Sequence, residues 1–203
     1  MHTAPLAERI DFVRYKTAEL HLAHAGAALQ LAERVDEFKN VAFFREIVWT
    51  AFYVNYAKPF RQARDKSKGF GLRLPDDIIP PEHRDTHFHI ITMRDKHFAH
   101  SDLDFPTNPF VSKPEELLTV FATEAGFMYG IVSIIPAKST VADFHALLDA
   151  VTEKLLYRSR KIMNRWARHL RIPPNTTWTV NLSSTSDEIL TRFVTTTAAP
   201  KAD

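Results

Sequence analysis

Arginine, lysine, two histidines and two aspartates crowd into nine consecutive positions, Arg94-Asp95-Lys96-His97-Phe98-Ala99-His100-Ser101-Asp102. These are the residue types that move protons and hold anions. Histidine titrates near neutral pH, so it can serve as acid and as base. Arginine stays protonated and can fork two hydrogen bonds onto a phosphate. A carboxylate beside them, Asp95 or Asp102, can fix an imidazole tautomer or raise its pKa. Arg94, Asp95, His97 and His100 are therefore the candidate catalytic groups, with Lys96 and Asp102 as candidate substrate contacts. Geometry sets a condition on this set. On an ideal helix, the six steps from Arg94 to His100 turn through about 120°, so the two do not share a face. His97, three steps on, shares a face with Arg94. A helix that tightens or frays before His100, or a second subunit facing it, would meet the condition.

Other clusters carry weaker chemistry. His83, His87, His89, His97 and His100 fall in one short segment, and His83 and His87 are one helical turn apart, a spacing that can chelate zinc. No HExxH is present and the chain has no cysteine, so no metal or other cofactor is assigned. From Lys154 to Arg171 the chain carries Lys154, Arg158, Arg160, Lys161, Arg165, Arg168 and Arg171 without an acid. Such a stretch can track a phosphate backbone, and Arg158, Lys161 and Arg165 are candidate substrate contacts. It is equally a solvated helix face with cations near its C-terminus. The loop from Lys58 to Arg73 is also basic. Nucleotide-binding glycine loops and a recognisable Ser-His-Asp arrangement are missing.

Positioning these groups requires mainly helices. Leu6, Ile10, Val13, Thr17, Leu20, His24, Ala27 and Leu31 alternate spacings of four and three, which predicts a helix over residues 4–37 with that seam buried. A second helical pattern starts at Val41 and runs to about Lys66, with Asn40 as a candidate cap; Pro59 should kink or end it near Ala57. Glycines and prolines make residues 66–81 a loop. Pro80 and Pro81 open a third helix that reaches about Ala99 and carries the motif. Leu117–Ala122 and Phe127–Ile135 read as a β-hairpin turning at residues 123–126. Ser139 or Thr140 caps a final helix whose stripe is Val141, Phe144, Leu148, Val151, Leu155, Ile162, Trp166 and Leu170. Beyond it, residues 177–182 read as a strand, 186–193 as a short helix, and 195–203 as a disordered tail.

The 203 residues, 45% hydrophobic and 25% charged, fit a single domain over residues 1–194 with its own core. Lack of cysteine suits a reducing compartment. No basic start followed by an apolar run opens the chain, and no apolar stretch approaches a membrane span; the expectation is a soluble, cytoplasmic protein. A net charge of +2 permits a nucleic-acid partner without demanding one.

The motif resembles the signature of the HEPN superfamily: an arginine, a polar residue directly after it, and a histidine after a short spacer. Here Asp95 follows Arg94, and five residues separate Arg94 from His100. The ending Ala99-His100-Ser101-Asp102 resembles versions in abortive-infection and toxin–antitoxin relatives. The resemblance implies a helical bundle, here with a β-hairpin insertion at about residues 105–136 before the long final helix. It implies a homodimer whose two motifs form one RNA-cleaving cleft without metal. Arg94 would bind phosphate and stabilise the transition state, His100 would transfer protons, and Asp95 would orient its neighbours. RNA suits such a site because its 2′-hydroxyl is a built-in nucleophile. The expected function is a metal-independent endoribonuclease, a toxin or phage-defence effector with RNA and a cognate antitoxin as partners. The alternative is a catalytically inactive module of the same type that binds RNA or protein.

Overall fold

Residues 41–57 carry a dense set of aromatic and β-branched residues with no proline or glycine, and Pro59 follows. They form a helix that stops where proline forbids an internal N–H donor. The computed structural model describes residues 4–37, 41–61, 71–95, 118–123, 126–131, 136–170 and 180. Its elements are α1 (Leu6–Glu33), α2 (Val41–Ala57), α3 (Arg84–Met93), β1 (Leu118–Thr123), β2 (Gly126–Ile131) and α4 (Lys138–Leu170). Short 3-10 turns occupy Val35–Glu37, Lys58–Phe60, Asp76–Ile78 and Pro81–His83. The described residues are therefore mainly helical.

Two boundaries differ from the sequence expectation. The first helix ends at Glu33, and Val35–Glu37 is a separate 3-10 turn rather than its last residues. The second helix ends at Ala57, the stop expected from Pro59, and closes in a 3-10 turn through that proline. The last helix already includes Lys138, so Ser139 and Thr140 lie in its first turn rather than capping it. Pro80 and Pro81 begin a 3-10 turn that hands over to α3 at Arg84. Pro80 sits in extended geometry at the cap, where its missing N–H costs nothing.

The buried seam of α1 is a correction. Leu20 and Leu31, expected inside, are 55% and 41% exposed, and His24 and Ala27 are exposed too. Besides Arg9 and Ala28, the buried residues are Tyr15, Ala18, Leu22, Ala25, Leu29 and Ala32. These also alternate spacings of three and four, on a neighbouring face. Apolar residues lie on several sides of this helix, so spacing alone does not choose between the two stripes.

By its contacts the chain divides into two compact units, and α1 and α4 each contribute to both. The first comprises residues 1–20, 59–78 and 152–203. In its described part, Phe12 packs on Trp166 with ring centroids 4.8 Å apart. The Leu74 N–H donates to the Pro59 carbonyl at 2.8 Å, pinning the segment after the basic loop.

The second unit comprises residues 21–58 and 79–151. Its core is an aromatic cluster. Phe52 stacks on Phe144 at 5.1 Å, and Trp49 and Tyr53 meet the same rings edge-on or tilted, with centroids 5.1–6.4 Å apart. Each such pair adds about 0.5–1.5 kcal/mol beyond the area it buries. Within this unit β1 and β2 pair antiparallel, from Leu118↔Ile131 to Thr123↔Gly126. The remainder of the second strand expected from sequence, residues 132–135, lies outside the described residues, as do the expected strand at 177–182 (residue 180 apart), the helix at 186–193 and the tail.

Candidate functional site

α3 leads directly into the motif, whose first residue is its C-cap, and the aromatic core holds α3 in place. Ile90 and Met93 are fully buried. His89 stacks on Phe144 with centroids 6.0 Å apart and planes 23° apart. Burial pushes the His89 pKa below the usual imidazole value. His87 Nδ1 and the Tyr56 hydroxyl are hydrogen-bonded at 2.9 Å. Burial raises the Tyr56 pKa well above that of a free phenol, so this hydroxyl stays protonated. Two of the clustered histidines are thus packing and anchoring groups. Among the described residues no three histidine, aspartate or glutamate side chains gather as a metal set.

Arg94 stands at the end of this anchored helix. Its backbone is right-handed helical, and its N–H is shared between the carbonyls of Ile90 and Ile91. The turn at Arg94–Asp95 widens to the π pattern, a form that often marks functional positions in helices. The Arg94 guanidinium donates to Asp95 Oδ1 at 3.0 Å. The two side chains are 31% and 34% exposed. Asp95 orients the arginine, while both groups remain open to solvent on one side. A guanidinium held by one carboxylate oxygen keeps other N–H donors for an anion. Lys96, His97, His100 and Asp102 lie outside the described residues, as do Arg64, Lys66 and Lys68 of the basic loop.

The basic stretch of α4 is placed in detail within the first unit, and acids from distant sequence meet it. Arg158 makes two hydrogen bonds to Asp77, at 2.7 and 3.3 Å, and lies over the Tyr15 ring 6.0 Å from its centroid. The pairing lowers the Asp77 pKa and raises that of Arg158. Lys154 Nζ donates to the Asp77 carbonyl at 2.6 Å. Arg165 is paired with Glu8, and the Trp166 indole N–H donates to the other Glu8 oxygen at 2.9 Å. Ser159, buried in the apolar stripe, donates to Glu19 at 2.7 Å. Of the three α4 residues proposed from sequence, Arg158 and Arg165 are engaged by carboxylates, and Lys161 is exposed. Sequence reading missed Asp77, Glu8 and Glu19 because only the fold brings these acids, 81, 157 and 140 positions away, to their partners.

No helix among the described residues is long and apolar enough to cross a membrane. No family model matches this chain, and no curated protein or solved structure is significantly similar to it.

Proposed function

We propose that the protein is a HEPN-type, metal-independent endoribonuclease. The observation that carries this reading is the Arg94–Asp95 pair, about one-third exposed at the widened turn that follows an anchored helix. The motif of residues 94–102 and the mainly helical content of the described residues support it. In this mechanism Arg94 binds the scissile phosphate and neutralises the charge that grows on it. His100, with His97 as second candidate, takes the proton of the ribose 2′-hydroxyl or delivers one to the leaving oxygen. Asp95 holds the guanidinium in position. The active form is a homodimer in which two motifs share one cleft, and an antitoxin partner would restrain it.

Arg158, Lys161 and Arg165 are the RNA contacts of this reading; Arg158 and Arg165 are also paired with Asp77 and Glu8, and Lys161 is exposed. Purified protein is expected to cleave RNA in EDTA. Arg94→Ala and His100→Ala are each expected to reduce cleavage by about 10²-fold or more while retaining the wild-type helical spectrum. Full cleavage by both variants removes the assignment.

A further inference from the structure

Within the first unit, the solvent face of α4 carries cations and one aromatic ring. Leu155, Ser159, Ile162 and Trp166 bury one side of the helix. Tyr157, Lys161, Asn164 and Arg168 follow one another at spacings of four, three and four, so they form a row on the other side, and all four are exposed. At 1.5 Å per residue the row is about 16 Å long. Arg160, one turn from both Tyr157 and Asn164, borders it and is exposed too.

The cations of α4 fall into two surroundings. Arg158 and Arg165 are paired with Asp77 and Glu8. Arg160 and Lys161 have no ion pair or hydrogen bond among the described residues. Arg168 donates to the Asn164 carbonyl of its own helix and meets no acid there. The sequence from Lys154 to Leu170 contains no acid, and Glu153, one turn before Tyr157, bounds the patch. The helix dipole favours cations in the last turn, which accounts for Arg168 but not for Arg160 or Lys161. Tyr157 is 67% exposed, more than any other large apolar or aromatic side chain among the described residues, and it has no ring contact there. Its face is open.

We propose that this surface binds single-stranded RNA, with an unpaired base stacked on Tyr157 and neighbouring phosphates held by Arg160 and Lys161. The proposal rests on RNA being the substrate and adds the form of strand it takes. Cations set around an aromatic ring hold single strands because every base has a face to stack. In a duplex the bases are stacked on one another, so the ring gains nothing. An anionic lipid surface fits less well. The apolar stripe of α4 is buried, and one tyrosine leaves too little apolar surface to insert.

The test is a titration of the full chain with a 2′-O-methylated strand of about 12 nucleotides, within the usual site size of such surfaces. That strand offers no 2′-hydroxyl for attack, so binding is read apart from cleavage. At about 50 mM salt it is expected to bind with a Kd below about 10⁻⁴ M, at least about fivefold tighter than the duplex with its complement. Tyr157→Ala should weaken strand binding at least about fivefold and leave duplex binding unchanged; Tyr157→Phe should restore it. The double variant Arg160→Gln with Lys161→Gln should reduce the slope of log K against log salt by about 1.4. All these side chains are exposed, so the melting temperature should stay near wild type. The proposal is overturned if the duplex binds as tightly as the strand, if Tyr157→Ala binds like wild type, or if phosphatidylserine vesicles bind and the strand does not. Strand binding as described, with no cleavage of ordinary RNA, would remove the nuclease and leave this surface. Cleavage of ordinary RNA, with strand binding unaltered in the variants, would do the opposite.

Discussion

Burial sets the charge of His89. Its ring lies on Phe144, and desolvation lowers its pKa from the ordinary value of 6.5. His21 shifts in the same direction, through burial first and then the nearby charges of Lys58 and His24. Above pH 6.5 the folded and unfolded chains are both mainly neutral at these rings. As pH falls below that, the unfolded chain takes up protons first, so stability declines until the folded-state pKa values are passed. Urea unfolding from pH 8 to pH 5 should therefore show a plateau and then a loss below about pH 6.5. The His89→Phe variant, which keeps the stacked ring, should flatten part of that loss. A pH profile identical to wild type would show that His89 is not the buried base described here. Asp77 titrates in another window: Arg158 holds its pKa low, so its contribution is lost only in stronger acid.

The helices show what spacing can and cannot reveal. Pro59 ends α2, and the prolines at 80 and 81 open the turn into α3, because a missing N–H and a fixed φ act locally. Most of the α4 stripe was readable: Phe144, Leu148, Val151, Leu155, Ile162 and Trp166 are buried, Val141 is half-buried, and the Leu170 side chain lies outside the described residues. The α1 seam was not readable, because two alternating stripes compete and only the partner surface selects one. A pair of substitutions measures the choice. Leu22→Ala should cost about 2–5 kcal/mol, as expected for a large-to-small change in a core. Leu20→Ala should stay within about 0.5 kcal/mol. Equal costs in denaturant titrations would restore the stripe expected from spacing. The motif itself was legible as a run of residue types, and its first two members follow α3 as a part-exposed pair. The acids that engage Arg158 and Arg165 were not legible, since they come from other segments.

At the scale of the whole molecule, a net charge of +2 gives little general attraction to RNA, so binding depends on where free cations lie. Arg158 is part of an ion pair in the first unit, and Lys161 is exposed. Lys161→Glu should weaken RNA binding at low salt and leave the melting temperature near wild type. Arg158→Ala should lower stability by up to about 1 kcal/mol, since Asp77 is well exposed and salt screens the pair. The reverse pattern would mean that the α4 arginines face RNA rather than hold the fold.

We propose that Arg94 and His100 act on a ribose phosphate through the 2′-hydroxyl. The direct measurement is analysis of the cleaved ends in EDTA, with a matched substrate carrying a 2′-deoxy sugar at the scission site. A 2′,3′-cyclic phosphate is expected on the RNA product, with no cleavage at the deoxy position. Cleavage of the deoxy substrate, or 3′-hydroxyl ends from the RNA, would contradict it.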